Sequence, residues 1–197
     1  MKKKHRRLQI ENNLENLAAY IEASLQDSIK NVVIKNGILN IYAQPRLLPR
    51  VLSFLRDDAN CRFSSLTNIS GIDYPEKEER FEVLYHILSH ELNQRIIVRI
   101  TNDGLKLVKS VSQVYDSAVW YEQEVWDMFG ICFAEHPDLR RLYNDFGFKG
   151  YPLRKDFPLN GEFEKKFDDN RKIIRLFPKE NEQTTCSAFG ACCQIKG

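Results

Sequence analysis

The chain has no apolar run long enough to cross a bilayer, which takes about 18 or more such residues, so any membrane association must come through a partner. It also lacks charge of one sign: 29 basic against 27 acidic residues leave a net charge of +2, and no strong field steers it toward nucleic acid. Cysteine is sparse and unpatterned. Cys61, Cys132, Cys186, Cys192 and Cys193 make an odd set of five without a framework spacing, which fits a reducing compartment. The trio Cys186, Cys192 and Cys193 has neither zinc-site nor iron–sulfur spacing and reads as free thiols. No G-x-G-x-x-G, no Walker-type glycine loop and no G-x-S-x-G is present.

The N-terminus, MKKKHRR, is basic but runs into Leu8-Gln9-Ile10-Glu11 instead of an apolar segment. That argues against a secretory signal, and the acidity from Glu11 onward makes a poor transit peptide, so the segment reads as a solvated tail, with contact to an acidic neighbour as the alternative. Leu14, Leu17, Ala18, Ile21, Leu25 and Ile29 then form one stripe of an amphipathic helix. β-Prone runs at 32–34 and 38–43 flank the tight-turn pair Asn36-Gly37. Pro45 opens a second helix with Leu48, Val51, Leu52 and Leu55 facing inward. A strand is expected over 63–72, closed by Ser70-Gly71, followed by the charged loop YPEKEER. Alternation at Phe81, Val83, Tyr85 and Ile87, and at Ile96, Val98 and Ile100, predicts a hairpin with one buried face. A helix capped at Asp116 or Ser117 should end by Gly130. Interspersed helices and strands predict an α/β (α+β) fold, a two-layer sandwich of a mixed sheet with helices, over residues 1–133.

After Phe133 aliphatic periodicity nearly vanishes and prolines recur, yet Tyr143, Phe146, Phe148, Tyr151, Phe157, Phe163, Phe167 and Phe177 remain. Disordered tails are poor in aromatics, and full burial of such a side chain is worth roughly 2 kcal/mol. Residues 134–180 therefore read as a long extended arm wrapped on another chain, without a core of its own, with a self-packed second subdomain as the alternative, and 181–197 as a separate tail.

Within 120–161, WYEQEVWDMFGICFAEHPDLRRLYNDFGFKGYPLRKDFPLNG, no catalytic constellation is legible. On a helix Glu122 and Glu124 would point about 200° apart, while Glu124 and Asp127 would share a face. Two carboxylates are no metal cage, and pairing with basic groups suits them better. His86 and His90 have a zinc-helix spacing but fall in a strand and its turn. His136 has no nucleophile beside it and suits a hydrogen bond to backbone. Arg140, Arg141, Arg154 and Lys155 interleave with Asp138, Asp145 and Asp156, a pattern for ion-pair docking. Glu122, Glu124, Asp127, His136, Arg140, Arg141, Asp145, Arg154, Lys155, Asp156 and Phe157 are the expected interface set, with Arg154 and Phe157 as its main anchors. No catalytic, cofactor-binding or metal residue is assigned.

These residues resemble a known family, the 30-kDa subunit of respiratory complex I, the proton-pumping NADH:quinone oxidoreductase. The resemblance rests on Ala118-Val119-Trp120, Glu122 to Ile131, His136-Pro137-Asp138-Leu139-Arg140-Arg141 and Asp145 to Leu159. One departure is Gln123, where the family pattern reads Glu-Arg-Glu. The resemblance implies a non-catalytic core subunit of the quinone module in the peripheral arm, which supports electron transfer from NADH to quinone. It also implies an arm that embraces the large, hydrogenase-like quinone-site subunit. FMN, iron–sulfur clusters and quinone would belong to partner subunits, with none in this chain. The start at Met1 fits synthesis inside a mitochondrion or a bacterium, so the implied site is the matrix side of the mitochondrial inner membrane or the cytoplasmic side of a bacterial one. A plastid relative serving a ferredoxin-linked complex is a weaker match. Two readings from other classes stand beside it: an RNA-binding accessory protein, from the basic N-terminus and interleaved Arg and Tyr, and a small hydrolase, from His136 and the acidic helix.

Overall fold

The structure, a computed structural model, describes residues 14–158, 163–169 and 171–178. The basic segment 1–7 and the tail 181–197, with Cys186, Cys192 and Cys193, lie outside the described residues. Helix α1 covers 14–24 and buries the predicted stripe of Leu14, Leu17 and Ile21, with Leu25 just beyond its end. Strands β1 (Ile29–Lys35) and β2 (Ile38–Ala43) form the hairpin set by Asn36 and Gly37, both at positive φ. A 3-10 turn (Pro45–Leu47) leads into α2 (Leu48–Asp57), whose Leu48, Val51, Leu52 and Leu55 are fully buried. Then come β3 (Ser65–Asp73), β4 (Phe81–Ser89) and β5 (Gln94–Asn102).

The five strands form one mixed sheet in the order β1-β2-β5-β4-β3, with β2 and β5 parallel and the other pairs antiparallel. Register explains the core. Tyr85 stands opposite Val98 and Ile69, Val83 opposite Ile100, and Ile96 and Val98 opposite Leu39 and Ile41. Period-two alternation puts all of them on one face, where they join a single buried cluster with the stripes of α1 and α2. The reverse face carries Arg99, which donates to Asn40 Oδ1 (2.9 Å) and Glu82 Oε1 (2.9 Å). The expected two-layer sandwich is the observed one.

The strand expected to close at Ser70-Gly71 instead continues to Asp73. Gly71 is there for close approach, not for a turn: a Cβ on it would lie 2.7 Å from the Phe129 ring, on the helix packed over β3. That helix, α3 (Ala118–Phe129), is flanked by two short strands, β6 (Val108–Lys109) and β7 (Phe133–Ala134), which pair in parallel. Ser117 precedes α3 but its hydroxyl bonds to Leu66 O (3.3 Å) instead of capping it.

The boundary expected after Phe133 falls later. Residues through Phe157 belong to one compact unit with the sheet, and a second unit begins at Pro158. The physical reason is a set of side-chain ties from α3, β3 and the start of β4, described below, which substitute for an aliphatic core. In the second unit, β8 (Phe163–Asp168) and β9 (Ile173–Pro178) form an antiparallel hairpin where an extended chain was expected. Its turn is closed by the N–H of Lys172, at φ 54°, bonding to Asp168 O at 2.8 Å.

Candidate functional site

Helix α3 stops at Gly130, whose left-handed φ of 76° lets its N–H bond to Trp126 O. No larger residue fits: a Cβ there would run into Arg154 Nη2 and lie 2.6 Å from the Tyr151 ring. The chain beyond, from Glu135 to Phe157, starts beside Val119 and follows α3 toward its C-terminal end as a strap, held to it by polar and charged side chains.

Asp127 is the principal tie. Its side chain is fully buried, and its Oδ2 accepts the backbone N–H groups of Leu142 (3.1 Å), Tyr143 (2.8 Å) and Asn144 (3.0 Å). Oδ1 accepts from Arg141 Nη1 and Asn144 Nδ2, both at 2.9 Å. Burial alone would push this carboxyl up, but Arg141, Asn144 and the strap N–H groups outweigh it and hold the group well below the usual carboxylate range. Arg141 Nη1 also donates to Asp127 O (2.9 Å), its Nη2 donates to Phe148 O (3.2 Å) and Gly150 O (3.1 Å), and its guanidinium lies 5.3 Å from the Trp126 ring.

A second tie lies at the sheet edge. Arg80 donates to both oxygens of Asp73 (2.6 and 2.7 Å) and both of Asp156 (2.8 and 3.1 Å). Asp73 Oδ2 also accepts the N–H of Lys155 at 2.8 Å. The Arg80 guanidinium, with help from the Lys155 N–H, keeps Asp73 below its ordinary value, and the same guanidinium lowers Asp156. Arg154 donates Nε to Phe129 O and lies 4.3 Å from the Tyr151 ring. Phe157 is half-buried, 6.0 Å from Phe148, and so close over Gly150 that a Cβ there would lie 2.8 Å from its ring.

At the head of the strap Glu122, also fully buried, accepts from Ser110 Oγ (2.7 Å) and Val111 N–H (2.8 Å). Burial pushes its carboxyl up to about 7, against the pull of those two donors. His136 bonds to Val119 O (3.1 Å), the backbone contact expected for it, and accepts the Asp138 N–H at 3.1 Å. Gln123 is buried and its amide donates to Asp138 O.

The structure therefore gives most of the expected interface set a partner within this chain, and Arg140, Asp145, Lys155 and Asp156 stay exposed. Glu122, Asp127, His136, Arg141, Arg154, Asp156 and Phe157 bind this chain's own backbone or side chains, and Lys155 does so through its N–H. Glu124 is half-buried, and Glu122 and Asp127, not Glu124 and Asp127, are the buried acids, because the strap covers a side of α3 that periodicity alone leaves open. Arg140 pairs with Asp138 at the surface (3.0 Å), and the exposed Asp145 accepts the Phe148 N–H through its carbonyl (3.0 Å). Beside these exposed charges, three large apolar side chains also point outward: Phe146 is entirely exposed, Tyr143 65% and Leu153 54%. Asp73 and Arg80 were missed. Their signal was present, an acid and a base bracketing the loop between β3 and β4. Among the described residues no group of three or more His, Cys, Asp or Glu is placed to hold a metal ion, and no helix is long and apolar enough to cross a membrane.

Comparison with known proteins agrees with these features. The family model "Respiratory-chain NADH dehydrogenase, 30 Kd subunit" matches residues 41–163. An NADH-quinone oxidoreductase subunit of Parvibaculum lavamentivorans is 48% identical over 169 residues, covering 86% of this chain and 84% of the relative. The subunit of the same name in Rhodospirillum rubrum is 50% identical over 166 residues, covering 84% and 78%. A chain in the structure of the membrane-bound sulfane sulfur reductase, an archaeal respiratory membrane complex, superposes with a TM-score of 0.64 at 22% identity. It covers 74% of this chain and 85% of that one, and it speaks for the fold alone. Neither RNA binding nor hydrolysis finds support in these matches. The chain belongs to the 30-kDa subunit family of the respiratory-chain NADH dehydrogenase: it is a subunit of NADH:quinone oxidoreductase, respiratory complex I, and the enzyme activity belongs to the assembled complex.

Proposed function

We propose that this chain is a non-catalytic structural subunit of the quinone module, and that the outer surface of its strap docks on the large, hydrogenase-like quinone-site subunit. The observation that carries the reading is a set of exposed apolar side chains on a loop tied to the chain's own fold. Asp127 and Asp73 hold the loop by its backbone N–H groups near Tyr143 and at Lys155, while Tyr143, Phe146 and Leu153 stand in solvent among exposed charges. An exposed, rigidly held aromatic has little use in an isolated chain and suits an interface anchor. FMN, iron–sulfur clusters and quinone are assigned to partner subunits. Membrane association then comes only through the complex, on the matrix side of the mitochondrial inner membrane or the cytoplasmic side of a bacterial membrane, and the curated relatives are bacterial.

The test is a double variant, Tyr143→Ser with Phe146→Ser, in the full chain. Both side chains are exposed, so the fold should be retained by circular dichroism, while incorporation into the complex on native gels should drop sharply. Normal incorporation of the folded variant would overturn the assigned surface. A stoichiometric flavin or iron–sulfur cluster on the purified full chain would overturn the structural role.

A further inference from the structure

Four acidic side chains are buried among the described residues: Asp73, Glu82, Glu122 and Asp127. Three of them face a guanidinium, from Arg80, Arg99 and Arg141 respectively. Glu122 faces none. Its surroundings are the Ser110 hydroxyl and Val111 N–H from the segment after β6, His136 from the segment after β7, and the Tyr85 phenol of β4, which bears on it electrostatically. Tyr85 Oη is also the one buried side-chain polar atom among the described residues without a hydrogen-bond partner. The strap's ion pair of Asp138 with Arg140 is exposed.

Complete burial without a facing cation favours the neutral form of this acid. Ser110 Oγ lies 2.7 Å from Glu122 Oε2 and 2.9 Å from Ser112 Oγ. The two hydroxyls serve either state: a neutral Glu122 can donate to Ser110 and Ser110 to Ser112, or Ser112 can donate to Ser110 and Ser110 to the carboxylate, the second arrangement being the charge-assisted one. His136 Nδ1 accepts the Asp138 N–H, so Nε2 carries the ring hydrogen and gives it to Val119 O at 3.1 Å. That Nε2 is only 3.8 Å from Glu122 Oε2. The His136 side chain is sealed, 1% exposed.

We propose that Glu122 and His136 form a protonation latch that closes the head of the strap onto α3. With the proton on Glu122, His136 bridges Val119 O and the Asp138 N–H. When that proton leaves to solvent, the bare carboxylate competes for the Nε2 hydrogen, because a charge-assisted hydrogen bond outweighs one to a neutral carbonyl. The imidazole swings off Val119 O and the Asp138 N–H loses its acceptor. Burial that pushes the Glu122 carboxyl up to about 7 sets the change near neutrality, so the latch is closed on the acid side and opens as pH rises.

Amide hydrogen exchange of the full chain between pH 6 and 8.5, corrected for intrinsic exchange, tests this. Protection at Asp138 should fall by about fivefold or more on the alkaline side, while Leu142, Tyr143 and Asn144, held by Asp127, should not change. Glu122→Gln should abolish the pH response. Ser110→Ala, which removes a donor that favours the anion, should move the midpoint upward. A flat wild-type profile, a response that survives in Glu122→Gln, or an unmoved midpoint in Ser110→Ala would overturn the latch. Should Glu122→Gln fail to fold, the carboxyl ¹³C titration of wild-type Glu122 decides: a midpoint near neutrality supports the latch, and one near the ordinary glutamate value of about 4.3 overturns it.

Discussion

Replacing Asp127 with asparagine keeps the shape of the side chain and changes its hydrogen-bond chemistry. The carboxylate accepts from five donors, two on Oδ1 and three on Oδ2. An amide offers one acceptor oxygen, so its NH₂ must face either the three strap N–H groups or Arg141 and Asn144, donor against donor. The guanidinium of Arg141 also loses its counter-charge at a half-buried site. Removing one member of a buried charged pair costs about 3–5 kcal/mol, and that is the expected loss for Asp127→Asn at pH 7. Chemical denaturation of the full chain, followed by tryptophan fluorescence, measures it, since Trp126 lies against Arg141. The pH dependence gives a second reading. Because the native carboxyl is held below its unfolded value, its contribution is complete above about pH 4 and is lost as pH falls through the native value. Wild type and variant should therefore converge on acidification. A gap under about 1 kcal/mol at pH 7, or one that widens toward acid, would refute the account of the strap.

Arg80→Lys replaces a fork that grips two carboxylates with a single point charge and should destabilise the chain by about 2 kcal/mol, read as a lower melting temperature; an unchanged melt would show the tie to be dispensable. Gly71→Ala forces the Phe129 ring off β3 and should cost about 1–3 kcal/mol by denaturation, with part recovered by a smaller side chain at Phe129. Phe157→Ala should destabilise the isolated chain by about 1–2 kcal/mol, because the ring packs on Phe148 and Gly150; a variant of wild-type stability that fails only in assembly would return Phe157 to the interface.

Periodicity made the sheet domain legible. The stripe from Leu14 to Leu25, the inward face of α2 and the alternation along β4 and β5 each answer to a repeat of 3.6 or 2 that survives without tertiary information. The strap was legible only as composition. Its aromatics and interleaved charges were visible, but which charges turn inward depends on long-range pairs such as Arg80 with Asp156 and Asp127 with Tyr143, and no local pattern encodes these. Gly71 misled for a related reason: a glycine under a crossing aromatic looks, in sequence, like a glycine in a turn. The β8–β9 hairpin was passed over because its apolar positions, Phe167 opposite Ile174, pair across a turn rich in charge.

The inward ties change what a partner has to supply. A chain whose 134–157 segment ordered only on contact would lose about 1–2 kcal/mol of backbone freedom for each residue at the moment of binding. Here that cost is met during the chain's own folding, by Asp127 on three successive N–H groups and by Asp73 and Arg80 at the far end. On the proposed docking surface a partner would meet a preformed loop with Tyr143, Phe146 and Leu153 already presented, and its contacts would not have to offset the ordering of that loop. The charged residues that tie the strap, Asp127, Asp73 and Arg80, and the exposed aromatics thus answer to different demands. The former are constrained by this chain's fold, while the latter are free to be shaped by any partner that covers them. Substitutions at Asp127 or Arg80 should weaken the isolated chain and the assembly together, whereas those at Phe146 should weaken the assembly alone.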